Sequence, residues 1–122
     1  MRHKVRKHLK FNWKTFQHRQ AMERNLLTNL FLHKAIKTTP KKAAAIVPMI
    51  DKLINVVNSK DEMNAIRYVM QYLYTKESSV ELFKNVAPKM KDANKTSGFT
   101  RTTPIKYRDG DCAKLVLLEI IL

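Results

Sequence analysis

Residues 99–122, FTRTTPIKYRDGDCAKLVLLEIIL, decide the fold class. Phe99 to Tyr107 is rich in β-branched and aromatic residues. Pro104 within it marks an edge strand or a bulge, because proline cannot donate to a strand ladder. Asp109-Gly110 is a hairpin turn signal, and Ala113 to Leu122 is an apolar run of strand length charged only at Lys114 and Glu119. The stretch reads as two strands joined by a tight turn. Gly98 and Gly110 are the only two glycines of the chain, and a left-handed backbone is expected at both. Cys112, next to the turn, is expected to be a small filler residue.

Upstream, the apolar spacing is helical. Met22, Leu26, Leu27, Leu30 and Phe31 recur by threes and fours between about His18 and His33. Thr39-Pro40 is a helix start, and the stripe Ala43, Ile46, Val47, Ile50, Leu53, Ile54, Val57 is the clearest core face. Pro48 inside it is expected to kink the helix or remove a backbone bond. Ser59 and Glu62 have capping-box spacing for a third helix with the stripe Met63, Ile66, Met70, Leu73 and Tyr74. A fourth helix starts between Thr75 and Ser79, carries Val80, Leu82, Phe83 and Val86, and is expected to stop at Pro88; Lys89 to Ser97 reads as turn. Two strands alone are marginal, and Ala35–Thr38 is the only free candidate for a third. The expected fold is α+β, about four helices on one face of a small three-stranded sheet, in the order α-β-α-α-α-β-β. Residues 17–122 form one domain in this reading, and 1–16 a basic extended arm.

The net charge of +14 over 122 residues is unevenly placed. From Met1 to Arg19 there are seven basic residues and no acid, whereas 20–83 carry nine basic and six acidic groups. Residues 84–108 carry seven basic groups against Asp92 alone, and 109–122 carry Lys114 against Asp109, Asp111 and Glu119. Two basic blocks bracket a nearly balanced middle. Such a surface repels itself at low ionic strength unless a polyanion neutralises it. Nucleic acid fits better than an anionic membrane, because the N-terminal block lacks the apolar stripe of a membrane-surface helix. No run approaches 18 uncharged apolar residues, and the basic N-terminus is not followed by an apolar leader segment. Phe11, Trp13 and Phe16 alternate with Lys10 and Lys14, either to stack on bases or to dock the arm on the core.

Nothing in the sequence nominates catalysis, a cofactor, a small-molecule substrate or a membrane. His3, His8, His18 and His33 have no metal-ligand spacing, and the single cysteine has no CxxC partner and suits a reducing compartment. Asp109 and Asp111 flank a glycine, where turn formation and pairing with Arg108 are commoner than acid–base work. Composition alone leaves an architectural DNA-binding protein as the alternative class, although no groove-entering element is evident.

Further residues carry a family likeness. Met1-Arg2-His3-Lys4 opens the chain, and His18-Arg19-Gln20-Ala21-Met22 is followed by Arg24-Asn25-Leu26, then His33, Ile36 and Thr38-Thr39. Near the end stand Gly98-Phe99-Thr100-Arg101 and Arg108-Asp109-Gly110-Asp111, then Ala113 and Glu119. In this order the chain resembles the family of the bacterial large-subunit ribosomal protein numbered seventeen. It departs from that pattern at Lys14, where Arg is usual, at Lys34, where Glu is usual, and at Phe99, which stands for Tyr.

The resemblance implies one strand between the first two helices and two after the fourth. It also implies binding to large-subunit ribosomal RNA near the peptide-exit side, with other large-subunit ribosomal proteins as neighbours. The residues expected to touch RNA are Arg2, His3, Lys4, Arg6, Lys7, Lys14, His18, Arg19 and Arg24 from the arm and first helix. Lys95, Arg101 and Arg108 are expected from the C-terminal half, with an intramolecular pair favoured for Arg108 and RNA for Arg101. For His18, contact with RNA and a structural role at the helix start are equally open. Lys and Arg at such positions contact phosphates and fix position more than they read sequence.

Overall fold

The structure, a computed structural model, describes residues 14–122. Arg2, His3, Lys4, Arg6 and Lys7, and the aromatic residues Phe11 and Trp13, lie outside the described residues. Helix α1 spans Phe16–His33. Thr15 precedes it in extended conformation, and its hydroxyl oxygen accepts the His18 amide at 3.3 Å, satisfying one orphan donor of the first turn. Lys34 ends the helix in the left-handed region (φ 64°), its amide bonded to the Leu30 carbonyl at 2.7 Å. That reversal feeds directly into strand β1, Ala35–Thr38.

Helix α2, Pro40–Ser59, starts as expected with Thr39 extended and Pro40 in the first turn. Ala43, Ile46, Ile50, Leu53 and Ile54 are buried, with Val47 and Val57 at the margin. Pro48 lies on the exposed side and the helix continues through it. Helix α3, Glu62–Met70, differs from expectation in two ways. Its N-cap is Asp61 and not Ser59, with no side-chain capping bond. Its buried face is Ala65 and Val69, continued by Leu73, whereas Met63 and Met70 are 61% and 64% exposed. The reason is that the small side chains of Ala65 and Val69 pack into the core, which turns the methionines outward. Size decided the face, and hydrophobicity alone misled.

After α3 the chain turns over Gln71–Leu73 through bonds to the carbonyls of Tyr68 and Val69. Helix α4 then runs in three consecutive segments: Lys76–Glu81, a π-helical stretch Leu82–Val86, and Ala87–Asp92. Thr75 caps it by accepting the Ser78 amide at 3.3 Å. The helix does not stop at Pro88. A widened turn precedes the proline, at the point where its ring meets the carbonyls of the preceding turn, and the helix resumes to Asp92. Lys34 Nζ lies 3.1 Å from Glu81, linking the end of α1 to α4.

Strands β2, Thr100–Tyr107, and β3, Lys114–Ile120, complete an antiparallel sheet of order β1-β3-β2. The register shifts between Pro104 and Lys106, so Ile105 is the extra residue of a bulge, and β2 is also an edge. Val116, Leu118 and Ile120 face the helices, and the core joins them to Leu27, Leu30, Phe31, Ile50, Leu53, Leu82, Val86 and Phe99. Gly98 is left-handed as expected (φ 71°), but at the hairpin the left-handed residue is Cys112 (φ 55°) and not Gly110. Cys112 is exposed, so it fills no core space. The Asp111 carboxylate accepts the Ala113 amide at 3.2 Å and thereby shapes the turn from within.

Candidate nucleic-acid interface

Among the described residues, the cations relevant to RNA fall into three settings. The first is the start of α1. Lys14 is exposed with φ 66°, and its carbonyl accepts Nη1 of Arg19 at 3.0 Å. The Arg19 guanidinium also lies 5.9 Å from the Phe16 ring centre. Arg19 therefore braces the chain as it enters α1. The His18 side chain is exposed while its backbone amide serves the Thr15 cap. Arg24 is set deeper: its guanidinium stacks 4.0 Å above the Tyr74 ring, and its Nε is buried without a hydrogen-bond acceptor. It joins α1 to the segment after α3 and is not aligned with the exposed cations of the first turn.

The second setting is the hairpin, where charge is compensated internally. Arg108 donates Nε and Nη2 to the two oxygens of Asp111 at 2.8 and 2.6 Å. Those bonds, with the Ala113 amide, hold the Asp111 carboxyl down at about 2. Arg101 sits opposite Glu119 in the register and gives it Nε and Nη2, both 2.7 Å from Oε1. Lys106 lies 3.6 Å from Asp109. The intramolecular pair expected at Arg108 is present, and Arg101 is paired in the same manner.

The third setting is the one that the sequence points to only through Lys95. Lys84, Lys89, Lys91 and Lys95 project from the second half of α4 and the loop after it, all exposed. Among the described residues none of the four forms an ion pair. Asn55 of α2 donates to the Thr96 carbonyl at 2.7 Å and pins this loop to the helical layer. The signal for this group is the charge census, with one acid among residues 84–108, yet charge alone does not separate these lysines from the hairpin arginines. In the fold Arg101, Lys106 and Arg108 form ion pairs, and among the described residues the four lysines do not.

The arrangement can hold anions by charge and hydrogen bonding at exposed ammonium groups. Among the described residues, no three His, Cys, Asp or Glu side chains gather as a metal site, and no helix is long and apolar enough to cross a membrane.

Comparison with known proteins gives the chain a family. The family described as ribosomal protein L17 matches residues 22–121. A large ribosomal subunit protein bL17 of Desulforamulus reducens is 37% identical over 107 residues, covering 88% of this chain and 93% of that protein. The bL17 of Treponema denticola is also 37% identical over 88% of this chain, which spans 59% of that protein's length. The bL17 of Halothermothrix orenii is 34% identical, with 88% and 92% of the two chains covered. The match spans most of α1, all three strands and the lysine-bearing half of α4, and on it the chain belongs to the ribosomal protein L17 family.

Proposed function

We propose that this protein is held in the large ribosomal subunit by ribosomal RNA, through the basic N-terminal block and the lysines of the α4 end, and that it helps assemble or stabilise the subunit near the peptide-exit side. As a member of its family it is a structural ribosomal component and not an enzyme, and it works in the cytoplasm within the ribosome. The observation that carries the RNA reading is where basic residues outnumber acidic ones. Seven basic residues precede the first acid, and Lys84, Lys89, Lys91 and Lys95 are exposed and form no ion pair among the described residues. Exposed, uncompensated ammonium groups gain free energy by displacing the counterions condensed on a phosphate chain. Neighbouring large-subunit proteins complete its surroundings in this reading.

Sedimentation of a lysate through sucrose in magnesium buffer tests it. The protein is expected with large subunits and is expected to stay there at moderate salt. Recovery at the top of the gradient, or transfer to added duplex DNA, overturns the proposal.

A further inference from the structure

A group of side chains outside the expected RNA-contact residues stands where α2 ends against α3. Lys52 of α2 and its C-cap Lys60 place their ammonium nitrogens 5.7 and 5.0 Å from the centre of the Tyr68 ring. Tyr68 and Tyr72 lie one helical turn apart, with ring centres 5.2 Å apart and hydroxyls 3.4 Å apart. Beside them is an open hollow of about 500 Å³ lined by Lys60, Asn64, Arg67, Tyr68 and Gln71, with Asp61 its one carboxylate. Among the described residues Lys52, Lys60 and Arg67 form no ion pair. Two cations thus meet the Tyr68 ring, and Lys60 shares the hollow with Arg67 and one carboxylate, Asp61.

The cluster is continuous with the basic start of α1. Gln71 lines a second cleft of about 180 Å³ together with Tyr72, Met49 of α2, and Gln20, Glu23 and Arg24 of α1. A chain bound at the first turns of α1 can therefore pass over Gln71 and Tyr72 to reach Lys60. Glu23 is the carboxylate along that path; burial pushes its pKa up and the Arg19 charge draws it back down. Partial burial raises the Tyr68 hydroxyl, but Tyr72, Lys52 and Lys60 together bring it below its ordinary value, as a local positive potential does.

We propose that Lys52, Lys60 and Arg67, with Asn64 and Gln71, form a second binding site for the RNA sugar–phosphate backbone, an extension of the contact made by the start of α1. The cations suit phosphate oxygens, and the two amide side chains both donate and accept, as a ribose 2′-hydroxyl requires. An acidic protein segment would match the charge equally. It would not explain why no aliphatic side chain lines the hollow, whereas interface cores between proteins are apolar. The inference rests on the ribosomal RNA reading above.

Amine acylation of the full-length protein, read by mass spectrometry residue by residue, tests it, with and without large-subunit ribosomal RNA. Lys52 and Lys60 are expected to react several-fold more slowly in the complex, alongside the lysines of the N-terminal block. If the N-terminal lysines are protected while Lys52 and Lys60 react as in the free protein, this site is refuted and RNA binding stands. If no lysine is protected, the RNA reading itself fails. Protection that appears only in whole subunits, and not with RNA alone, assigns the surface to a protein neighbour and overturns the proposal. A Lys52→Gln/Lys60→Gln variant should keep its fold, since both side chains are exposed. It should also flatten the dependence of log affinity on log salt by roughly 1.5. An unchanged slope overturns the proposal as well.

Discussion

Thr28 of α1 accepts the backbone amide of Tyr74 at 3.1 Å while donating its own hydroxyl to the Arg24 carbonyl at 2.8 Å. One hydroxyl thus satisfies the donor left open where α3 has ended and α4 has not begun, 46 residues away in sequence. The same junction carries the Arg24 guanidinium on the Tyr74 ring. Thr28→Val keeps the shape and removes the acceptor, so it should destabilise the fold by about 1–2 kcal/mol, the cost of an unsatisfied partly buried amide. Thr28→Ser should recover most of that. Urea unfolding followed by circular dichroism measures both, and equal midpoints for wild type and the valine variant would show that water replaces the bond.

The assignment of the α3 face makes a sharp contrast between adjacent residues. Val69 is fully buried and Met70 is 64% exposed. Val69→Ala should cost on the order of 1–3 kcal/mol in unfolding free energy. Met70→Ala should stay within about 0.5 kcal/mol of wild type. The reverse order of thermal midpoints would restore the methionine-centred stripe as the core face.

At the hairpin, the Asp111 carboxyl is lowered to about 2, first by the Arg108 hydrogen bonds and then by the Ala113 amide. A depressed carboxylate contributes stability above its ordinary pKa and loses it as pH falls through the folded-state value. The contribution of this pair is therefore complete above about pH 4 to 5 and disappears toward pH 2. It is small, because both side chains are half exposed. Carboxyl NMR titration should find Asp111 near 2 in the wild type and clearly higher in Arg108→Ala. An Asp111 titration unmoved by that substitution would mean that the backbone amide alone sets its value.

The two groups of cations in the C-terminal half should behave differently toward RNA. Replacing Lys84, Lys89, Lys91 and Lys95 by Gln should weaken binding to large-subunit ribosomal RNA across sequences. It should also flatten the salt dependence by roughly 0.7–0.9 for each phosphate that is no longer neutralised. Arg101→Gln breaks a pair with Glu119 and should change RNA affinity less than twofold. Filter binding at several salt concentrations separates the two. A larger loss at Arg101 than at the four lysines returns the hairpin to the centre of the interface.

How much of the fold and interface is legible in the sequence depends on which physical effect decides each element. The α2 stripe can be read because Ala43, Ile46, Ile50, Leu53 and Ile54 are large or closely spaced and face one layer. The strands can be read because β-branched residues, Pro104 and Asp109-Gly110 each have a local meaning. The α3 face cannot, because Ala65, fully buried beside Val69, is too small to mark a stripe, while the larger Met63 and Met70 are exposed. The end of α4 escapes because a π-helical turn, which has no compositional signature, lets Pro88 sit inside a helix. The Arg101 pairing with Glu119 escapes because it spans a strand pair whose register the sequence does not print. The Lys52, Lys60 and Tyr68 group is likewise a product of packing, since its members come from two helices and a cap.

The bulged edge strand bears on the life of the chain before it meets its partners. β2 offers eight residues with one side unpaired, and such an edge is a template for joining other chains. Pro104 supplies no donor there, and the extra residue at Ile105 breaks the even spacing that a second edge would need to match. Arg101 and Lys106 add exposed charge along the strand, which disfavours edge pairing. A newly made molecule therefore carries, within the strand itself, its protection against aggregation until it is incorporated.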